Sequence, residues 1–235
     1  MTRGYGQFCP VAKAAEIVAE RWTPLVMREL LCGSHHFNDL RRGVPLMSPS
    51  LLSQRLKRLE DEGLVNRREA PGGGSEYRLT EAGEALQPVI ESLGAWGKRW
   101  VRRQADGNDL DSGLLMWDIH RRLRIDRFPG GRTVLRVEFT DMPARRRFYW
   151  LVIDRGQVDV CLKDPGFPVD LFLAVPLPVL TDIWLGDRSL QAARQAGELD
   201  LRGPARLRRR LAGWLRLSLF AGVERADARG AGPGR

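Results

Sequence analysis

The sequence predicts an α+β chain in two parts, and three observations predict it. Between residues 36 and 80 a short helix, a tight turn, a longer helix and a glycine-tipped hairpin follow one another. A polar, turn-rich stretch at 104–111 then breaks the pattern. Beyond it come apolar runs of strand length and then helical periodicities, the order of an α+β layer rather than of alternating βαβ units. A chain of 235 residues is long enough for two modest domains.

Val11 to Arg21 reads as a first helix with Ile17 and Val18 inward. Thr23 and Pro24 start a second, whose apolar side is Leu25, Val26, Leu30 and Leu31 and which Gly33 ends. Phe37 to Val44 is a short helix with Phe37, Leu40 and Val44 inward, and Gly43 and Pro45 turn the chain. Ser48 then stands at an N-cap and Pro49 at the first helical position, where a missing N–H costs nothing. Leu52, Leu56 and Leu59 share one face of that helix, and Gly63 stops it. Leu64 to Glu69 and Glu76 to Leu79 are strands around the loop from Pro71 to Ser75. Helix, turn, helix and hairpin in this order are the sequence form of a winged helix-turn-helix. Thr80 starts a long helix to Val101, bent at Pro88, with an apolar stripe of Leu86, Val89, Ile90, Leu93, Trp96 and Trp100.

The polar face of the helix after Ser48 carries Ser50, Ser53, Gln54 and Lys57. A helix entering a DNA major groove needs small residues near its N-terminus, and hydroxyls and amides for phosphates and base edges. Alone, that pattern fits an ordinary surface helix equally well. The hairpin tips the reading, because Arg67, Arg68 and Arg78 flank its loop and suit a phosphate backbone or a minor groove. With Arg41 and Arg42 before the turn, the candidate DNA-contacting set is Arg41, Arg42, Ser48, Ser50, Ser53, Gln54, Lys57, Arg67, Arg68 and Arg78.

In the second half, Ser112 to Arg124 reads as a helix. Strands follow over Arg132 to Phe139, Arg147 to Ile153, Gln157 to Leu162 and Val169 to Val175, with a hairpin turn at Asp154-Arg155-Gly156. Leu177 to Leu185, Ser189 to Ala196 and Leu207 to Leu219 are helical, and the tail from Glu224 is expected to be disordered. Arg145, Arg146 and Arg147 offer an anion contact or, more simply, a solvated loop.

Composition excludes several classes. Apolar residues make up 43% and charged residues 29%, the balance of a chain with a packed core in water. No apolar run reaches bilayer length and the first residues lack a secretory stretch, so a cytoplasmic protein without a membrane partner is expected. The net charge of +9 fits a polyanionic partner, although it divides almost evenly between the two halves. Cys9, Cys32 and Cys161 form no disulfide framework, and neither they nor His35, His36 and His120 have metal-ligand spacing. No Ser/His/Asp order, phosphate loop or dinucleotide fingerprint is present, so neither an enzyme nor a cofactor is expected.

Two resemblances sharpen these expectations. Residues from about Cys9 to Trp100 resemble the HxlR family of bacterial transcription regulators. The resemblance rests on Cys9-Pro10, Arg21-Trp22-Thr23, Gly33 with Phe37-Asn38-Asp39-Leu40, Ser48 through Gly63-Leu64-Val65, Tyr77 to Gly83, and Trp96-Gly97. It implies a homodimer on a two-fold operator, a recognition helix carrying Ser48, Ser50, Ser53, Gln54 and Lys57, and a wing carrying Arg67 and Arg68. It also implies that the N-terminal segment and the last helix, with its Leu86 to Trp100 stripe, build the dimer. Cys9 matches a thiol-switch position of some relatives; the plain alternative is a small half-buried residue under the first helix, with Lys13 one turn on to lower its pKa slightly.

The second half resembles the sterol-carrier-protein family, through the strands around Trp150 and Gly156, the strand Pro168 to Leu171, the helix ending at Gly186, the run Leu190 to Gly203, and Leu207 to Trp214. That implies a five-stranded sheet, of which four strands are legible, with helices over an apolar cavity. Trp150, Val152, Leu171, Leu173, Leu180 and Trp184 are the candidate pocket. The expected boundaries are a winged-helix domain over 1–103, a linker over 104–111, a sterol-carrier-like domain over 112–222 and a tail over 223–235. The expected function is a DNA-binding regulator, a repressor, whose second domain senses a small hydrophobic ligand. The alternative is a carrier of hydrophobic ligands whose winged helix serves protein contacts.

Overall fold

The computed structural model describes residues 4–70, 73–102, 109–128 and 130–226. Most of the expected linker and the end of the expected tail lie outside the described residues. The described residues form two compact units, one up to Gly94 and one from Ala95 on.

The first unit starts with α1 (Pro10–Val18), α2 (Thr23–Leu31) and α3 (Phe37–Gly43). α1 ends three residues earlier than Arg21. Trp22 then takes a left-handed backbone conformation, φ 77°, to start α2. Its indole packs on the core, which offsets the strain of that conformation in a bulky residue. Val26, Met27 and Leu30 are buried from α2, whereas Leu25 turns outward. α4 (Pro49–Asp61) buries Leu52, Leu56 and Leu59 against Leu40 and Val44, as its periodicity predicts. β1 (Val65–Glu69) and β2 (Ser75–Leu79) form the antiparallel hairpin. Residues 35–36 lie beside β2: His36 bridges to Glu76, and the Tyr77 N–H donates to the His35 carbonyl at 2.8 Å. This third, minimal strand was not legible in the sequence.

The long helix expected after Thr80 is two helices, α5 (Glu81–Glu84) and α6 (Gln87–Trp100). Pro88 falls in the first turn of α6. A proline there lacks the N–H that would bond back to Glu84 and crowds that carbonyl, so it starts a helix instead of bending one. Ile90 joins the core and Leu86 packs against it. Val89, Leu93, Trp96 and Trp100, spaced 4, 3 and 4 residues apart on α6, remain exposed.

In the second unit α7 (Ser112–His120) precedes β3 (Thr133–Phe139), β4 (Phe148–Asp154), β5 (Gln157–Cys161) and β6 (Leu171–Val175). α8 (Leu177–Trp184), α9 (Leu190–Gln195), β7 (Asp200–Arg202) and α10 (Ala205–Trp214) follow. The sheet order is β5-β4-β3-β6-β7, antiparallel except between β3 and β6. Arg155 and Gly156, φ 49° and 77°, supply the two positive φ angles of a two-residue hairpin. β7 is the strand missing from the sequence reading. The last helix ends at Trp214, not Leu219, where the Arg124 N–H donates to the Trp214 carbonyl.

The sheet divides the six residues expected to line one pocket. Leu171 and Leu173 point to the face that packs on the helices, and Leu180 and Trp184 meet them there in a filled core with Leu151, Leu211 and Trp214. Trp150 and Val152 alternate with core residues Tyr149, Leu151 and Ile153, so they lie on the opposite face. The six therefore do not surround a common cavity.

Candidate nucleic-acid interface

α4 is positioned from the turn outward. The Ser48 hydroxyl accepts from the Leu51 N–H at 3.3 Å and lies 3.2 Å from the Ser50 hydroxyl, which fixes the first turn of α4. On the inner side, Arg55 is buried among the leucines and ion-pairs with Glu20, tying α4 to the segment between α1 and α2. Arg28 and the fully buried Glu29 pair at 2.7 Å, and the same guanidinium nitrogen donates to the Gly43 carbonyl at 3.0 Å. That latch holds the end of α3, and so the start of the turn, against α2. The Ser34 hydroxyl donates to the other carboxylate oxygen of Glu29.

All ten candidate contact residues are exposed. On α4, Ser50, Ser53, Gln54 and Lys57 follow i, i+3, i+4 and i+7 spacing on the outward side. Lys57 is not idle: its ammonium donates to Asp61 at 2.7 Å and lies 3.8 Å from Glu60. The hydrogen bond to Asp61 leads in holding its pKa above the ordinary lysine range, with that carboxylate's charge next. Arg42 lies 3.9 Å from Asp39. Among the described residues, neither Arg41 nor Arg68 has an ion-pair partner.

The wing separates residues that look adjacent in the sequence. Arg67 pairs with Tyr77 and shares its face, while Arg68 lies opposite Glu76 on the other face, with Asn66 and Arg78. Arg67 donates to the Ser75 hydroxyl at 2.9 Å, and Arg78 is held by Glu76 at 2.5 Å. The positive side of the wing is therefore Arg68 with Asn66, and Arg78 reaches a polyanion only by leaving Glu76. The sequence reading missed Asn66 and the inward Arg55. Alternation from the buried Val65 points to the first, and the spacing Leu52, Arg55, Leu56, Leu59 to the second.

Cys9 is half-buried at the start of α1. The backbone N–H groups of Ala12 and then Val11 lower its thiol pKa, while burial works against them. Lys13, expected to assist, turns to Glu16 at 3.4 Å.

Comparison with known proteins finds relatives over the first hundred or so residues. A family model described as HxlR-like helix-turn-helix matches residues 17–105. The uncharacterized HTH-type transcriptional regulator YvaP of Bacillus subtilis is 38% identical over 98 residues, covering 40% of this chain and 91% of that protein. The HTH-type transcriptional regulator YodB of the same organism is 33% identical over 95 residues, covering 39% of this chain and 85% of that protein. The reduced form of YodB, a solved structure, matches with a TM-score of 0.35 and 33% identity over 39% of this chain and 93% of that one. These relatives are regulators rather than enzymes. Through its first hundred or so residues, the chain belongs to the HxlR-like helix-turn-helix family of transcriptional regulators.

Proposed function

We propose that the chain is a sequence-specific repressor that binds a two-fold operator as a homodimer. α4 enters the major groove and presents Ser50, Ser53, Gln54 and Lys57 to base edges and phosphates. Ser48, Arg41, Arg42, Arg67, Arg68 and Arg78 hold the backbone on either side. The observation that carries this reading is the outward face of α4. It bears small and hydrogen-bonding side chains, is exposed throughout, and is held in place by the buried Arg55 beneath it. The dimer rests on α6, whose row Val89, Leu93, Trp96 and Trp100 is apolar and exposed in the single chain. A thiol switch at Cys9 belongs to the same reading, supported by the backbone groups that lower its pKa.

The residues 112–222 form, in this reading, a sterol-carrier-like sensor of a small hydrophobic ligand, joined through 104–111 to a winged-helix domain at 1–103 and followed by a tail at 223–235. The five-stranded mixed sheet with helices on one face supports it. Replacing Gln54 by Ala tests the recognition assignment. Operator affinity should fall by about five- to a hundredfold, with discrimination lost at one base pair, the scale of one bidentate contact. Unchanged affinity and specificity would remove α4 from the groove.

A further inference from the structure

One row of side chains crosses the helix-free face of the second unit's sheet. It runs Cys161 on β5, Trp150 on β4, Arg136 on β3, Phe172 on β6 and Arg202 on β7, each opposite the next in register. Arg136 is thus a cation on the central strand with an aromatic ring on either side. Its guanidinium lies 4.5 Å from the Phe148 ring centroid, 5.8 Å from Trp150 and 5.9 Å from Phe172. Two residues along the same strand, on the same face, stands Glu138. The two opposite charges make no ion pair with each other, and neither has a charged partner among the described residues. By contrast, Arg202 is paired with Asp200 at 2.8 Å, and Asp170 accepts from the Val134 N–H at 2.8 Å.

A cavity of about 390 Å³ opens beside this row, lined by Arg136, Glu138, Phe172, Val169 and Pro204 among others. That is the size of a small-molecule site. One buried donor at this cavity, the Arg136 Nε–H, has no acceptor among the described residues, and neither has the indole N–H of Trp150, the next side chain in the row and only 8% exposed. Buried donors without partners are costly in a fold that gains nothing from them.

We propose that this face binds a small amino acid with an aromatic side chain, as the free zwitterion. Its carboxylate takes the Arg136 guanidinium, its ammonium takes Glu138, and its ring lies on the half-exposed Phe172. A plain anion would meet Glu138 and a plain cation would meet Arg136, so only a ligand with both charges satisfies the pair. The site is on the opposite side of the sheet from the helix-covered core. It does not depend on the second unit acting as a hydrophobic sensor, because binding here is read without DNA.

The test is a ligand-observed NMR titration of the full chain with three probes: L-phenylalanine, 3-phenylpropanoate, which lacks the ammonium, and 2-phenylethylamine, which lacks the carboxylate. Saturable binding of L-phenylalanine is expected, about tenfold or more tighter than either analogue. Arg136→Met should erase the preference for L-phenylalanine over the amine, and Glu138→Gln the preference over the acid. Phe172→Ala, at a surface position, should weaken all three probes together and decides the matter if Arg136→Met does not fold. Equal binding of the three probes, no saturable binding of L-phenylalanine, or preferences unchanged in the variants would overturn the proposal. If L-phenylalanine binds as expected but leaves operator affinity unchanged, the site stands and this ligand is not the one that controls the operator.

Discussion

Substituting Gly43 by alanine tests the latch that holds α3 against α2 ahead of α4. Gly43 is buried at the end of α3, and a Cβ there would lie 1.9 Å from the carboxyl carbon of Glu29 and 2.0 Å from one of its oxygens. Glu29 cannot swing away cheaply. It is fully buried, accepts from Arg28 at 2.7 and 3.1 Å, and takes the Ser34 hydroxyl on its other oxygen. Overpacking a core by one methyl costs about 1–3 kcal/mol, and breaking a buried ion pair about 3–5 kcal/mol. The better helix propensity of alanine returns less than about 1 kcal/mol. A net loss of about 3 kcal/mol is expected, a large share of a domain's stability. Urea unfolding of the full chain, followed by circular dichroism, reads it as a lower midpoint for the first unit.

Two comparisons make this result specific. Gly213→Ala in α10 meets only the far end of Arg127 at 3.8 Å, so it should be neutral or slightly stabilising. In a Glu29→Ala background the added methyl has room, and the cost of Gly43→Ala should fall to within about 0.5 kcal/mol of zero. A Gly43→Ala protein within about 0.5 kcal/mol of the parent, or a cost that persists without the Glu29 carboxyl, would refute the latch.

Three further outcomes follow from the same geometry. Lys57→Ala should reduce the slope of log affinity for operator DNA against log salt by about one, while Asp61→Asn, which frees the ammonium, should tighten binding roughly two- to threefold. The His35 pKa is lowered, first by burial and then by the charge of Arg78. Its neutral form therefore stabilises the fold, fully above the ordinary histidine range near about 6.5 and progressively less as pH falls toward the lowered value. The urea midpoint of the first unit should drop between about pH 7.5 and 5, and His35→Gln should flatten that part of the drop. Finally, analytical ultracentrifugation should show the parent as a dimer and Trp96→Glu with Trp100→Glu as a monomer of unchanged circular dichroism; a dimer that survives both charges would move the interface off α6.

The first unit was legible because its signals were local and redundant. Ser48-Pro49, the leucine spacing on α4 and the glycine-tipped hairpin each mark one boundary, and they agree. What escaped was non-local. Residues 35–36 are a strand only because β2 lies beside them, and Arg55 is inward only because Glu20 waits for it. In the second unit, Phe148 to Ile153 is apolar on both faces, so alternation carries no label for which side is the core. In sequence Trp150 and Val152 therefore look like Leu171 and Leu173, and only the sheet register separates them. β7 is three residues long and too short for any periodicity; its partner β6 defines it.

The central claim is that the exposed face of α4 and its flanking arginines read DNA. Fluorescence anisotropy of the purified chain with DNA from its own promoter region, against a scrambled sequence and across a salt series, tests it most directly. The account predicts a clear preference for the promoter fragment. It also predicts a log–log salt slope of about −4 or steeper, since Arg41 and Arg68, without ion-pair partners among the described residues, would offer four cations in the proposed dimer. Equal affinity for both sequences, in the promoter fragment and across fragments of the whole genome, or an affinity indifferent to salt, would contradict it.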